Sequence, residues 1–358
     1  MTHQNILVTG GAGFIGSNVA VALKSRRPAG RVTVLDSLRR RGSELNLPRL
    51  REAGVLFRHG DIRNPEDLAP PREPYDLIVE CSAEPSALAG YDGDVRFVVN
   101  TNLAGTINCL ELARQCKADV LFLSTSRVYP VARLNELPIV EQSTRFALLD
   151  DSGVPGAGAA GIAEEFPLDG YRTLYGATKL ASELLIAEYR HMFGLRAVVN
   201  RCGVVAGPWQ MGKVDQGVFT LWVLAHHFRR SLQYIGFGGM GKQVRDLLHV
   251  ADLIDLVELQ LARMAELDGR VFNVGGGLET SLSLQETTSL CQEIVGGKLE
   301  IGADEATREG DVRVYVTDNR RVTEATDWRP RRTPRDILAD IHAWITANEA
   351  AVRQALGA

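Results

Sequence analysis

A glycine-rich turn behind a short apolar stretch constrains the fold of this chain more than any other feature. The stretch at residues 5–9 predicts a buried strand, and Gly10, Gly13 and Gly16 follow it. Apolar residues then recur at helical spacing, so the glycines lie where a strand turns into a helix. Gly10 would permit the tight turn, Gly13 would let a phosphate approach the backbone, and Gly16 would let the helix pack on the strand. The turn predicts a dinucleotide site, with a plain structural turn as the alternative.

An acidic residue at the end of the next predicted strand supports the dinucleotide site. The strand covers residues 31–36 and ends in Asp36, about twenty residues beyond the turn, where a ribose-binding carboxylate belongs. A carboxylate would repel a 2′-phosphate, so Asp36 favours NAD over NADP. The arginines at 39–41 could soften that preference, although a solvated basic turn explains them equally well.

Strands and helices alternate through the first half of the chain. Further strands are predicted at residues 55–62, 76–83, 119–125 and 197–202, with a helix through residues 98–112. This alternation, opened by a phosphate turn, predicts an α/β fold: a Rossmann-type doubly wound parallel sheet that binds ligands at the carboxyl ends of its strands. Asp61 and Ile62 end the third strand. Asp61 could accept a hydrogen bond from an adenine amino group while Ile62 covers the ring, or Asp61 could simply be a turn residue.

Composition excludes several classes of function. The chain has 358 residues and a formal net charge of −4, which gives no pull toward nucleic acid or an anionic membrane. Its five cysteines, an odd number without metal-ligand spacing, argue for a reducing compartment and against a disulfide framework, and they support no metal site. We find no signal segment and no apolar stretch that could span a bilayer. We therefore expect a soluble cytoplasmic protein.

The sequence Tyr175-Gly-Ala-Thr-Lys179 opens a long helical stretch and predicts the reaction centre. Residues four apart lie on one helix face, so Tyr175 and Lys179 are neighbours. Tyrosine, with a reference pKa of about 10, is a weak base at neutral pH, and a nearby ammonium would favour the phenolate. Thr125, at the end of the fifth strand, could hydrogen-bond the same reacting hydroxyl. The alternative is that Tyr175 packs at a helix start and Lys179 is solvated.

Taken together, these motifs resemble the extended short-chain dehydrogenase/reductases, the family of nucleotide-sugar epimerases and dehydratases. Later motifs match as well: residues 245–252, 308–313 and 327–330. Within the family, residues 215–217, 241–246 and 281–284 are most similar to the CDP-paratose 2-epimerase (CDP-tyvelose epimerase) group. The resemblance implies an NAD-binding Rossmann domain at residues 1–200, with later segments crossing back, and a smaller, mainly substrate-binding domain at 201–358.

The resemblance also implies roles for individual residues. Tyr175 would be the acid/base, Lys179 would hold the nicotinamide ribose, and Thr125 would bind the reacting oxygen. A nucleotide sugar would be the substrate and a homodimer or higher homo-oligomer the assembly. The implied cofactor-binding residues are Gly10, Gly13, Phe14, Ile15, Gly16, Asp36, Asp61, Ile62, Ala83, Asn102, Tyr175 and Lys179, and the implied substrate-binding residues are Ser126, Arg127, Gln216, Arg245 and Arg313.

The reaction implied is an inversion in which bound NAD oxidises one sugar carbon and then returns the hydride to the other face. Carbon 2 of a CDP-3,6-dideoxyhexose is the first choice and carbon 4 of another nucleotide sugar the second. A dehydratase or net oxidoreductase, and a non-catalytic NAD-sensing protein, remain alternatives. Related 4,6-dehydratases carry Asp-Glu after the active-site threonine, whereas Ser126 and Arg127 stand here.

Three stretches do not follow the family pattern or have no assigned role. Glu80-Cys-Ser-Ala-Glu84 replaces the usual histidine-containing end of the fourth strand, which alters the wall beside the nicotinamide. Val204 stands where the family has an asparagine. The Gly-rich residues 145–172 are either a flexible surface insertion or a lid over the sugar.

Overall fold

A seven-stranded parallel sheet organises the protein. The computed structural model describes residues 3–91, 93–212 and 216–356. The strands are β1 (Asn5–Thr9), β2 (Arg31–Asp36), β3 (Leu56–His59), β4 (Leu77–Glu80), β5 (Asp119–Thr125), β6 (Ile139–Glu141), β7 (Phe146–Leu148), β8 (Ala157–Gly158), β9 (Gly161–Ile162), β10 (Ala197–Cys202), β11 (Val204–Ala206), β12 (Leu232–Ile235), β13 (Val244–His249), β14 (Val271–Val274), β15 (Ser281–Ser283), β16 (Ile301–Asp304) and β17 (Val314–Tyr315). The large sheet has the order β14-β10-β5-β4-β1-β2-β3.

Helices cover both faces of this sheet. They are α1 (Phe14–Arg26), α2 (Leu47–Glu52), α3 (Val95–Val99), α4 (Gly105–Cys116), α5 (Val131–Glu136), α6 (Leu174–Phe193), α7 (Val218–Phe228), α8 (Val250–Ala262), α9 (Leu284–Val295), α10 (Arg320–Thr326), α11 (Pro334–Ala347) and α12 (Glu349–Ala355). Alternate residues of β1 point to opposite faces. Ile6 packs with residues of α1 and α8, whereas Leu7 packs with residues of α4 and α6. The predicted doubly wound fold is confirmed.

The bounds of some strands follow the sequence, and those of others do not. β2, β5 and β10 begin and end where the sequence predicts. β3 and β4 are shorter than predicted, so Asp61, Ile62 and Ala83 lie in the loops that follow these strands. The predicted helix at 98–112 is α3 and α4 joined by one π-helical turn, Asn100–Ala104. Such turns are frequent at functional sites.

A smaller sheet lies in the second half of the chain. It joins β11, β13 and β15, with β17 on β13. Its core is shared by α7, α9 and α11 through residues such as Phe219, Cys291 and Ile341. β14 and α8 return to the large sheet and its core, while the domain boundary at residue 200 stays a prediction.

The Gly-rich stretch at 145–172 packs against the C-terminal part of the chain. Ile162 is fully buried, and its N–H donates to the carbonyl of Val316 at 2.8 Å. Its carbonyl accepts from the N–H of Asp318 at 3.0 Å, and Phe166 is also buried. Residues 145–172 are therefore not a flexible surface insertion, because these contacts hold the middle of the stretch against the rest of the protein.

Within the described ranges, no helix is both long enough and apolar enough to cross a membrane.

Candidate active site

One large cavity lies at the carboxyl ends of the strands of the large sheet. Its volume is about 1570 Å³, larger than the roughly 300–1,000 Å³ that one small-molecule ligand usually occupies, so it has room for a dinucleotide and a second ligand. The sequence-predicted residues that line it are Gly10, Gly13, Phe14, Ile15, Gly16, Asp36, Asp61, Ile62, Ala83, Thr125, Ser126, Arg127, Tyr175, Gln216 and Arg245. Asn102, Lys179 and Arg313 do not line it.

The glycine turn forms one end of the cavity. Gly10 has φ of 62°, and a Cβ on Gly16 would lie 2.3 Å from the carbonyl oxygen of Gly10, so neither position accepts a side chain without movement. Gly13 precedes α1, whose first turn has no side-chain cap and no acidic residue. The first N–H groups of α1 are therefore left for an anion such as a pyrophosphate. These features fit a dinucleotide.

Asp36 is bound to the glycine turn and to the loop after β2. Its carboxylate accepts from the N–H of Ala12 at 3.0 Å and from the N–H of Leu38 at 2.8 Å. Burial raises the pKa of Asp36, and these backbone bonds act in the opposite direction. The carboxylate is thereby held at the cavity wall where a ribose would lie.

An arginine–phenylalanine stack closes the outer end of the cofactor side. The guanidinium carbons of Arg39 and Arg63 lie 4.0 and 4.9 Å from the centroid of the Phe97 ring, and all three residues line the cavity. The Nε of Arg63 donates to both carboxylate oxygens of Asp61, at 2.9 and 3.0 Å. Asp61 therefore already accepts hydrogen bonds from Arg63. The sequence predicted an adenine or a turn role for Asp61, and not this pairing with a residue two positions away.

Thr125 and Tyr175 come together at the centre of the cavity. Thr173 caps α6 by accepting from the N–H of Gly176, which sets Tyr175 in the first turn. Burial raises the pKa of Tyr175 to about 12, while a hydrogen bond with Thr125 and the charge of Arg127 lower it. A nearby ammonium was predicted to lower this pKa, but in this structure burial outweighs the neighbouring groups.

Lys179 and Asn102 lie behind the cavity wall. Nζ of Lys179 lies 3.8 Å from the centroid of the Phe122 ring, and burial lowers the pKa of Lys179. The amide of Asn102 accepts from the N–H of Glu84 at 2.7 Å and donates to its carbonyl at 3.1 Å. Asn102, in the π-helical turn, thus fixes the loop after β4 against the cavity.

Arginines from distant parts of the chain form the other end of the cavity. Arg245 contacts Asp311 at 2.8 Å, and burial lowers the pKa of Arg245 to about 10. Arg127 donates to the carbonyl of Gly310 at 2.6 Å. Gln216 also lines the cavity, and its side-chain oxygen accepts from Arg40; its neighbour Asp215 lies outside the described residues.

Arg313 does not take the place that the sequence analysis expected for it. Its guanidinium donates to the carbonyl of Asn135, away from the cavity. Arg308, from the same motif, lines the cavity instead. Glu84 is a second lining residue that the analysis left without a role, and its charge raises the pKa of Tyr175. Its position just after β4, at the ligand-binding edge of the sheet, could have predicted from the sequence that Glu84 lines the cavity.

The Gly-rich stretch contributes nothing to the cavity wall. No residue in 145–172 is among the described residues that line the cavity. The predicted lid over the sugar therefore has no support, because this stretch packs against β17 and its flanks instead.

Comparison with known proteins identifies the family. The model of the NAD dependent epimerase/dehydratase family matches residues 6–275. The chain is 31% identical over 352 residues to the CDP-paratose 2-epimerase of Salmonella typhi, covering 96% of this chain and 100% of that protein. It is 29% identical over 353 residues to a dTDP-glucose 4,6-dehydratase of Streptomyces antibioticus, covering 97% and 94%.

Solved structures of the same fold agree with this match. The UDP-glucuronic acid 4-epimerase of Bacillus cereus, in complex with UDP-glucuronic acid and NAD, superposes with a TM-score of 0.77 at 23% identity, covering 96% of this chain and 99% of that one. The dTDP-glucose 4,6-dehydratase of Bacillus anthracis, in complex with NAD, has a TM-score of 0.74 at 24% identity, covering 98% and 99%. This protein therefore belongs to the NAD dependent epimerase/dehydratase family of extended short-chain dehydrogenase/reductases, and its cofactor is NAD.

Proposed function

We propose that this protein is a nucleotide-sugar epimerase that inverts carbon 2 of a CDP-3,6-dideoxyhexose, interconverting CDP-paratose and CDP-tyvelose. The relative at 31% identity that spans the whole chain is a CDP-paratose 2-epimerase. Bound NAD supplies a reversible hydride acceptor, so an inversion consumes no cofactor.

The residues at the centre of the cavity suit proton transfer to and from a sugar hydroxyl. Tyr175 would act as the phenolate, which would take the hydroxyl proton as the carbon is oxidised and return it afterwards; the positive charge of a bound nicotinamide would favour this form. Thr125, which hydrogen-bonds Tyr175, would hold the reacting oxygen. Arg127 favours the phenolate through its positive charge. Lys179, one helical turn beyond Tyr175, would donate to the nicotinamide ribose from behind the wall.

The observation that carries the choice of epimerisation over dehydration is the pair of residues after Thr125. Elimination of water needs an acid for the leaving hydroxyl and a base for the proton beside the ketone. Ser126 and Arg127 supply neither at neutral pH, and Arg127 is committed to the carbonyl of Gly310 at 2.6 Å. Glu84 is one carboxylate near Tyr175, not a pair.

The substrate end is suited to a pyrophosphate. Arg245 and Arg308 line the cavity opposite the glycine turn, and guanidinium groups pair with phosphate oxygens. Asp311 holds Arg245 in place at 2.8 Å.

Turnover against a panel of nucleotide sugars, with products identified by NMR, tests the proposal. Substrate deuterated at carbon 2 should invert and keep its label, and unlabelled substrate in heavy water should gain none there. Loss of the label would indicate proton abstraction from carbon by a base. A kinetic isotope effect only with a carbon 4 label would move the reaction to carbon 4, and loss of water seen by mass spectrometry would indicate a dehydratase. Binding of NAD without turnover of any nucleotide sugar would contradict the proposal and favour a non-catalytic NAD-sensing protein.

We also propose that the protein is a homodimer formed through α6. Leu184 and Met192, about two turns apart on one side of this helix, are 65% and 64% exposed and form an apolar surface that a partner helix would bury. Light scattering should give twice the chain mass, and Leu184→Asp should shift the species toward monomer. A monomeric wild-type protein at micromolar concentration would contradict this proposal.

A further inference from the structure

A buried ion pair joins the helix that carries Tyr175 to the large sheet, and the proposed reaction leaves this pair without a role. Glu183 of α6 and Arg201 of β10 are 8% and 6% exposed. Nη2 of Arg201 donates to Oε2 of Glu183 at 2.7 Å, and its Nε lies 3.1 Å from both carboxylate oxygens. Apolar residues in place of a buried ion pair are often neutral for stability, so stability alone does not explain why charges stand here.

Glu183 lies on the same face of α6 as the reaction centre. Tyr175, Lys179 and Glu183 follow one another at intervals of four residues, so they share one face of the helix. This face is turned to the sheet, because Lys179 is 2% exposed and its Nζ lies 3.8 Å from the centroid of the Phe122 ring. The place where Glu183 is bound therefore sets the place of Tyr175, two helical turns away.

The strand that carries Thr125 is bound to the same carboxylate. Ser124, the residue before Thr125, donates its hydroxyl to Oε1 of Glu183 at 2.5 Å. In the sheet Ser124 lies opposite Arg201, so the two side chains leave the same face, toward α6. One carboxylate thus connects β5, β10 and α6 directly beside the two residues that meet at the centre of the cavity.

A chain of buried hydrogen bonds holds the far side of Arg201. Its Nη1 donates to the hydroxyl of Tyr129 at 3.2 Å, and that hydroxyl donates to Oδ1 of Asn273 at 2.7 Å. Tyr129 has one hydroxyl proton, so its oxygen is left to accept from the guanidinium. Nδ2 of Asn273 donates to the carbonyl of Ile162 at 2.9 Å, so the chain ends in the Gly-rich residues 145–172.

We propose that Glu183 is a positioning residue for the reaction centre: its carboxylate fixes α6 on β5 and β10 and so holds the hydroxyls of Tyr175 and Thr125 in place for proton transfer. Arg201 orients this carboxylate, and residues 145–172 support Arg201 through the chain of hydrogen bonds. The inference rests on the proposed roles of Tyr175 and Thr125.

A double substitution separates positioning from stability. Glu183→Leu combined with Arg201→Met removes both charges and keeps the side-chain volumes similar, so the protein should fold with a Tm close to that of the wild type. Its kcat should fall by about 10–100-fold, because a displacement of reacting groups by about 1 Å can slow a reaction about a hundredfold. The KM for the nucleotide sugar should change less than about threefold, since no substrate contact is lost. A wild-type kcat in the folded double variant would overturn the proposal.

The environment of Tyr175 gives a readout that needs no substrate. The chain has eight tyrosines, and with carbon-13 at Cζ of each, the NMR signal that disappears in Tyr175→Phe is that of Tyr175. In the NAD complex, the double variant should shift this signal, because the contact between the hydroxyls of Tyr175 and Thr125 is disturbed. An unchanged Tyr175 signal would overturn the proposal.

A smaller change keeps the test decisive if the double variant does not fold. Ser124→Ala removes only the hydrogen bond from β5 to Glu183, so kcat should fall by about two- to tenfold and the Tyr175 signal should shift. Ser124→Thr keeps the hydroxyl and should restore both. Wild-type behaviour of Ser124→Ala would then overturn the proposal.

A second ion pair serves as the matched control. Arg27, 4% exposed, binds both carboxylate oxygens of Glu258 at 2.8 and 2.9 Å, and neither residue lines the cavity. Arg27→Met with Glu258→Leu should change neither kcat nor the Tyr175 signal, and an equal loss of kcat there would contradict the positioning role of Glu183. If the Tyr175 signal shifts as expected but no nucleotide sugar turns over in the wild type, the proposed function fails and this inference stands.

Discussion

The two ends of the cavity are built differently. At the cofactor end, the main binding groups come from one turn and from the ends of adjacent parallel strands, and backbone groups dominate: the N–H groups of α1 and the two N–H donors that hold Asp36. At the substrate end, Arg127, Arg245 and Arg308 come from segments more than fifty residues apart. Backbone recognition at the first end leaves a short local pattern in the sequence, whereas the second end depends on how distant loops pack.

The reaction centre lies between the two ends, and removing its hydroxyl should have the largest effect. Tyr175→Phe should lower kcat by about 10²–10⁴-fold, because the proton acceptor is lost, and leave NAD affinity nearly unchanged. Tyr189→Phe is the control: its hydroxyl lies on the same helix but bonds Glu111 at 2.6 Å. A loss below tenfold for Tyr175→Phe would remove this residue from the mechanism.

The substrate end should respond through KM. Arg245→Met should raise the KM for the nucleotide sugar by about 10–100-fold, since charge-assisted hydrogen bonds contribute about 1.5–3 kcal/mol. NAD affinity should not change, because Arg245 lies at the opposite end of the cavity. Arg313→Met, whose side chain contacts Asn135 outside the cavity, should raise KM far less. Equal effects of the two substitutions would place Arg313 in the site after all.

The cofactor end should respond through NAD affinity. Gly16→Ala brings a Cβ to 2.3 Å from a backbone oxygen, which forces the turn to move. Overpacking of this kind costs about 1–3 kcal/mol, so we expect NAD binding to weaken by about tenfold and Tm to fall. Gly93→Ala, where no atom lies within 4 Å of the new Cβ, is the control. An unchanged Kd for Gly16→Ala would show that the turn tolerates a side chain.

Asp36 should make the cofactor end selective for NAD over NADP. The wild-type protein should bind NADP more weakly than NAD because Asp36 repels a 2′-phosphate, and Asp36→Asn should narrow the difference to a few-fold. Calorimetry with both cofactors measures this. Equal affinities in the wild-type protein would mean that residues 39–41 dominate over Asp36.

The arginine–phenylalanine stack should show the smallest effect. Phe97→Leu removes two cation–π contacts, each contributing about 0.5–1 kcal/mol at exposed sites. Because both contacts lie within the protein, only part of this energy should be lost from cofactor binding, and NAD affinity should fall by about two- to fivefold. Phe228 is a matched control that does not line the cavity. The guanidinium carbons of Arg230 and Arg353 lie 6.0 and 4.7 Å from the centroid of its ring. If Phe228→Leu weakened NAD binding equally, the effect of Phe97→Leu would be one of stability and not of the site.

The sequence by itself determined the fold and the cofactor end of the site. Local patterns sufficed there: β2, β5 and β10 begin and end where their sequences predict, and the glycine turn acts through the backbone of neighbouring residues. That Tyr175 and Thr125 lie in the cavity was also predictable, because each is at a defined position of a helix or strand.

Only the tertiary structure decided which side chains face the cavity from the second half of the chain. Arg308 and Arg313 lie in one motif, yet one lines the cavity and the other binds Asn135, a choice made by packing against a segment almost 180 residues away. The same holds for residues 145–172. Their composition is typical of a flexible segment, but in the folded protein Ile162 is buried and hydrogen-bonded to Val316. Glu80 and Lys179, about a hundred positions apart, are both buried beside Phe122, and the burial that shifts the pKa of each is a property of the folded protein alone.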